Sequence, residues 1–189
     1  MVITVFGASS GAVSEKYMTA ARELGTLLAR GGHTLVNGAG LTGLMGACAD
    51  ACLAAGGEAV GVIPQFMVDR HWQHPGMTRL EITSDMHARK ERMAELSEAC
   101  IALPGGVGTL EELLEIITWK QLGLYPKPIV ILNVADYFKD LLCMLDRAVR
   151  EKFMREEHAS LWVVAPTPAE ALKVTMETPL LNEIPRKVL

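Results

Sequence analysis

The chain has 189 residues, with 18 Lys and Arg against 22 Asp and Glu and a formal net charge of −4. At this length it forms one domain, 1–189, whose core needs neither disulfide nor metal. Its 50% apolar and 21% charged composition excludes disordered, collagen-like and disulfide-scaffold classes. The acidic balance excludes the global electrostatics of a nucleic-acid binder. No apolar run reaches about 18 residues, so no membrane span is expected. Residues 1–6 carry no basic run and read as a first strand, not a signal peptide, which points to the cytoplasm. Cys48, Cys52, Cys100 and Cys143 all sit in apolar sequence, and none forms a Cys-x-x-Cys pair; Cys48 and Cys52, one helical turn apart, read as two small buried residues on one helix face, not as metal ligands.

The β-branched and aromatic run 2–6 predicts a strand ending at Gly7, followed by a small-residue turn at 8–11. Helical spacing runs through Tyr17, Ala21, Leu24 and Leu28 and stops at Gly31-Gly32. A strand at 34–36 leads into the glycine loop 38–43 and an alanine-rich helix at 44–55. A strand at 59–63 breaks at Pro64, residues 65–79 form a loop or short helix, and 80–82 is a short strand. Helical spacing follows at 86–99, a strand at 100–103, and a second glycine loop. The remainder reads as a helix at 110–121, a strand at 129–132, a long helix at 137–156, a strand at 162–165 and a helix at 168–176. The tail after Pro179 is irregular or docks on a neighbour. This alternation predicts an α/β fold: a doubly wound, mainly parallel, Rossmann-like sheet with helices on both faces. Ligands of such sheets sit at the carboxyl ends of the strands, where both glycine loops fall.

The first loop, Gly38-Ala39-Gly40-Leu41-Thr42-Gly43, matches G-x-G-x-x-G. A dinucleotide site also wants an acid at the far end of the next strand, where this chain has Pro64-Gln65; the only nearby acid, Glu58, is at the strand's start. Two other readings stand: glycines for a tight turn and close helix packing, or the wall of a mononucleotide pocket. The second loop runs Pro104-Gly105-Gly106-Val107-Gly108-Thr109-Leu110-Glu111-Glu112. Its glycines allow close approach of backbone N–H groups to a ligand. Thr109 can cap the following helix, and the free N–H groups there favour a phosphate. No Lys follows the last glycine, so it is not a Walker loop. Glu112 falls about one turn into the helix. The segment Ser84-Asp85-Met86-His87-Ala88-Arg89-Lys90 adds cations, with Met86, Arg89 and Lys90 on one helix face.

The motif P-G-G-x-G-T-x-x-E, preceded by M-H-x-R-K with Arg89 and Glu112 spaced 23 residues apart, resembles the LONELY GUY (LOG) family. These are cytokinin riboside 5′-monophosphate phosphoribohydrolases, related to proteins long labelled lysine decarboxylases. The resemblance runs from F-G-A-S-S-G through G-A-G-L-T-G-L-M-G to T-W-K-Q-L-G and K-P-I-V-I-L-N. It implies that Arg89 and Glu112 are the catalytic pair. It implies substrate contacts from Lys90, from Gly105, Gly106, Val107, Gly108, Thr109, Leu110 and Glu111, and from Thr118, with Met86 beside them. His71 stands where the family often has Glu, about 18 residues before the Arg, so base recognition here departs from the family pattern. Two imidazoles in His71-Trp72-Gln73-His74, with no third ligand, do not make a metal site.

The implied chemistry is hydrolysis of a purine nucleoside 5′-monophosphate to free base and ribose 5-phosphate. A carboxylate stabilises the positive charge that builds on the ribose as the bond breaks, the role given to Glu112. Arg89 is too basic to act as an acid and serves as an electrostatic anchor. Neither metal nor organic cofactor is required; pyridoxal chemistry would need a Schiff-base lysine with its partners, and Lys90 beside Arg89 has none in sequence. A catalytically silent nucleotide-binding or sensor module is the alternative. The helix 110–121 and its end carry Leu113, Leu114, Ile116, Ile117, Trp119 and Leu122 on more than one face, which predicts a second cover. The resemblance implies a homodimer or higher homo-oligomer with pockets near the subunit boundary; the competing cover is 65–79 or the C-terminal tail.

Overall fold

The computed structural model describes residues 1–181. The chain alternates β1 (Val2–Phe6), α1 (Glu15–Arg30), β2 (Thr34–Asn37), α2 (Gly43–Ala54), β3 (Glu58–Pro64), α3 (Gln65–Val68) and β4 (Arg79–Thr83). It continues with α4 (Met86–Leu96), β5 (Ala99–Ala102), α5 (Val107–Leu122), β6 (Ile129–Leu132), α6 (Lys139–Arg150), β7 (Val163–Ala165) and α7 (Pro168–Glu177). The seven strands form one sheet in the order β4-β3-β2-β1-β5-β6-β7, every pair parallel. The order reverses between β1 and β5, so the crevice beyond Phe6 and Ala102 is the topological switch point.

Alternation along the strands builds two cores. Ile3, Val5, Leu35, Ile101 and Val130 face one side, where Leu24 and Leu28 of α1, Cys48 and Cys52 of α2 and Ala171 of α7 cover them. Phe6, Val36, Val62, Ala102 and Ile131 face the other, covered by Met93 of α4 and by Leu113, Ile116 and Ile117 of α5. Burial on both faces is why the strands read as almost unbroken apolar runs. A fully buried Leu24 or Leu28 contributes about 1.5–3 kcal/mol from desolvation alone.

Several predicted boundaries are corrected. The helix predicted over 86–99 ends at Leu96, with Ser97 in extended conformation, because Ala99 is paired with Ile3 and belongs to β5. The helix predicted over 110–121 begins three residues earlier, capped by Gly106. Thr109 therefore lies inside its first turn, buried, and is not the cap. The helix predicted over 137–156 is only Lys139–Arg150; it starts after left-handed Ala135 and Asp136 and stops before left-handed Lys152. Residues Glu156–Ser160 form a separate 3-10 turn. Pro64 ends β3 from within, aligned with Thr83. Cys48, Cys52 and Cys100 are buried thiols, but Cys143 is exposed on α6. Of the tail after Pro179, the Leu181 N–H donates to the Pro126 carbonyl at 2.8 Å, and 182–189 lie outside the described residues.

Candidate active site

Three loops converge at the switch point. The Leu103 N–H donates to Phe6 O at 2.8 Å and the Ala8 N–H to Pro104 O at 3.1 Å, joining the loops after β1 and β5. The Leu44 N–H donates to Ala8 O at 2.8 Å, and Thr42 Oγ1 donates to Ser9 O at 2.7 Å, which adds the loop before α2. Two helices open from this edge. Asp85 caps α4, its carboxylate accepting from the N–H groups of His87 and Ala88 at 2.8 and 2.9 Å. These bonds, that from Ala88 foremost, hold the Asp85 carboxyl below its ordinary range. At α5, the first intrahelical bond is from Leu110 N–H to Gly106 O at 3.0 Å. The N–H groups of Gly106, Val107, Gly108 and Thr109 precede it, on the cap and first turn of the helix, where residues 106–108 are exposed. That is an anion-binding geometry.

Arg89, 5% exposed, reaches from α4 to Glu112 on α5, with Nη2 and Oε1 3.7 Å apart. Burial raises the Glu112 carboxyl to about 7, against the opposing pull of the Arg89 guanidinium. Burial likewise lowers Arg89 from its ordinary value, with Glu112 and Glu111 holding it up. Arg89 Nη1 lies 3.6 Å from Met86 Sδ, and its Nε is buried without a hydrogen-bond partner among the described residues. A carboxylate near neutrality beside a buried cation, next to an anion-binding loop, is a reactive arrangement.

The first glycine loop is the seat of Arg89. A Cβ on Gly38 would lie 1.6 Å from Arg89 Nη2 and 2.7 Å from its Cζ. Asn37, fully buried, shapes this loop: its Oδ1 accepts from Ala39 N–H at 2.9 Å and its Nδ2 donates to Met45 O at 3.2 Å. Of the readings left open by G-x-G-x-x-G, the contacts show close packing, at Gly38 against the Arg89 side chain and at Gly43 against the backbone at Ala8–Ser10. The second loop also needs its glycine: a Cβ on Gly105 would meet Thr109 Oγ1 at 2.1 Å. Tyr137, in the loop after β6, donates its hydroxyl to Gly105 O at 2.6 Å and fixes that loop from outside.

The other expected residues divide. Lys90 is buried beside the pair, and its ammonium donates to Glu111 and, at 3.1 Å, to Glu115. Thr118 is not brought to Arg89 and Glu112 within one chain. Six helical residues rotate it by about 120° and lift it about 9 Å, and its hydroxyl donates to Leu114 O at 2.8 Å on the exposed face. His71 is exposed and left-handed (φ 57°) in the loop after α3. That loop is tied to the Arg89 seat by a bridge from Gln73 to Gly40 and by His74 N–H to Ala39 O at 2.8 Å. Both ring nitrogens of His74 are engaged, Nε2 with Asp50 at 2.9 Å and Nδ1 with Gly76 N–H at 3.1 Å. Sequence reasoning missed Tyr137 and the role of Gly38. The Ser84-Asp85 pair carried a cap signal that marks the start of α4.

Comparison with known proteins shows the family and the fold. A family described as "Possible lysine decarboxylase" matches residues 45–175. A cytokinin riboside 5′-monophosphate phosphoribohydrolase of Arabidopsis thaliana is 44% identical over 171 residues, 90% of this chain and 80% of that protein. A protein of the same name from Rhodococcoides fascians is 45% identical over 153 residues, 80% of this chain and 77% of that one. Among solved structures, the molybdenum cofactor carrier protein of Chlamydomonas reinhardtii superposes with a TM-score of 0.72 at 24% identity, over 93% of this chain and 96% of that one. That likeness shows the fold alone.

Proposed function

The chain belongs to the cytokinin riboside 5′-monophosphate phosphoribohydrolase (LOG) family, and we propose that it hydrolyses the N-glycosidic bond of an adenine or N6-substituted adenine nucleoside 5′-monophosphate. The observation that carries the reading is the buried Arg89–Glu112 pair beside the free N–H groups of the Gly106–Thr109 turn. The 5′-phosphate binds those N–H groups, and this remote binding orients the ribose against Glu112. As the bond from C1′ to the base nitrogen breaks, its electron pair leaves with the base. The ionised Glu112 stabilises the positive charge on C1′ and the ring oxygen. Water then bonds to C1′, Glu112 accepts its proton, and the base takes up a proton in turn. Arg89 stays charged and keeps Glu112 oriented. Substrate contacts from Lys90, Glu111 and the loop 105–110 belong to the same proposal.

Decarboxylation through pyridoxal phosphate does not suit these residues, since a Schiff-base lysine must be free to deprotonate and meet the cofactor. Lys90 is held by two carboxylates, and Lys120, buried near the far end of α5, donates to Lys127 O at 2.9 Å.

The phosphate assignment predicts that adenosine is cleaved far less efficiently than AMP and that ribose 5-phosphate competes with substrate. Equal kcat/KM for nucleoside and nucleotide would sink it. The proposal includes a homodimer or larger homo-oligomer, and buried unpaired Cys48, Cys52 and Cys100 suit a reducing cytoplasm. On α5 and just beyond it, Leu114, Leu122 and Leu124 remain 38%, 60% and 69% exposed, so the described parts of one subunit do not cover this stripe. Thr118 lies on the same face, which a two-fold mate would bring against a site. Light scattering at micromolar concentration is expected to give at least about twice the 20.5 kDa of one chain; a mass near 20.5 kDa would defeat the dimer.

A further inference from the structure

We propose that, beyond the substrate contact assigned to Lys90, Lys90 and Glu115 form a charge-setting clamp on Glu112, tuning how tightly that carboxylate holds its proton. The inference rests on the reading of Glu112 as the reacting group. Lys90 follows Arg89 on α4, and Glu111 and Glu115 stand one turn apart on α5, on either side of Glu112 in sequence. The Lys90 ammonium, 8% exposed, is shared between those two carboxylates. Ion pairs between α4 and α5 among the described residues are Arg89–Glu112 and this triad. The helices are thus joined at one level, with the reacting pair and the clamp on adjacent residues.

The electrostatics follow from the count of charges. Arg89 and Lys90 face Glu112 from α4, and Glu111 and Glu115 act on it from its own helix. The triad carries a net charge of one negative and opposes ionisation of Glu112; Arg89 favours it. Burial is the largest influence raising the carboxyl to about 7, and the triad's net negative charge is a smaller one on top of it. A half-buried carboxylate such as Glu115, 27% exposed, acts through a medium of intermediate dielectric, where a charge several ångströms away is felt. Neutralising Glu115 leaves the triad without net charge and eases ionisation of Glu112. Removing the Lys90 ammonium leaves two uncompensated negatives and hinders it. A clamp that only braced the helices would alter stability and the plateau of kcat while leaving the proton affinity where it was.

The test is a titration of Glu112 by carbon-13 NMR in protein labelled at the glutamate carboxyls, its resonance identified by its loss in Glu112→Gln. It needs no turnover. In parallel, kcat for base release from AMP is measured against pH. The wild-type midpoint is expected near 7, with kcat rising as Glu112 ionises. Lys90→Met is expected to raise the midpoint by about half a unit to one unit, and Glu115→Gln, the weaker influence, to lower it by about half a unit or less. Glu115→Asp keeps the charge and is expected to keep the midpoint while lowering the plateau. Midpoints that stay within about 0.2 unit of wild type in both charge-changing variants would overturn the clamp. Absence of base release by the wild type would count against the proposed function alone, because the NMR midpoints are read without substrate.

Discussion

Glu112→Gln is expected to lower kcat about 10²-fold or more, the scale of losing one preorganised electrostatic stabiliser, with KM largely kept. The amide preserves the side chain's shape and its place beside Arg89, and the Gly106–Thr109 turn proposed to bind the phosphate is untouched. What disappears is the negative charge facing C1′ and the acceptor for the water's proton. A variant retaining more than about half of wild-type kcat would remove Glu112 from the mechanism. Stability supplies an independent reading of the same carboxylate. Its value in the folded chain, about 7, lies above the ordinary 4.5. As pH rises between those values the unfolded chain releases its proton first, so this group's contribution to stability falls across that window. Glutamine does not titrate. The stability difference should therefore move in the variant's favour by about 3 kcal/mol between pH 4 and pH 8. Denaturant titrations at both ends measure it, and a difference that does not change with pH would mean that Glu112 is not perturbed.

Gly38→Ala is expected to abolish most of the activity in a protein that still folds. The added methyl would fall 1.6 Å from Arg89 Nη2, the mobile end of a long side chain, so the guanidinium moves and the backbone stays. Gly38 is not among the left-handed residues, and alanine can adopt its conformation. Displacing Arg89 strips Glu112 of its buried counter-charge and pushes its carboxyl higher still. A loss of about 10²-fold in kcat, with a melting temperature within about 5 °C of wild type, is expected. Activity within about threefold of wild type would show that Arg89 does not need this seat.

The order of strands and helices was legible because both sheet faces are buried, so strands read as apolar runs and helices as stripes between glycine stops. Residues 2–6 and 129–132 come out at the bounds of β1 and β6. Helix ends were less legible where tertiary pairing overrides local spacing. Ala99 continues a helical pattern yet pairs with Ile3, and Val107-Gly108-Thr109 is a weak helix former held in a first turn by Gly106. The pairing of Arg89 with Glu112 followed from the motif spacing and the parallel crossover. The seat at Gly38 did not, because its meaning is a contact with a side chain 51 residues away. Tyr137 was silent for the same reason: one hydroxyl bonded across 32 residues leaves no periodic trace. Thr118 was legible only through family resemblance, and the structure of one subunit does not bring it to Glu112.

The central claim is most directly tested by following AMP and isopentenyladenosine monophosphate with the purified wild-type protein, quantifying base, ribose 5-phosphate, nucleoside and inorganic phosphate by chromatography. The account predicts catalytic release of free base and ribose 5-phosphate in equal amounts from at least one of the two, with no nucleoside formed. Saturable binding of both nucleotides without turnover, the behaviour of a silent sensor module, would contradict it.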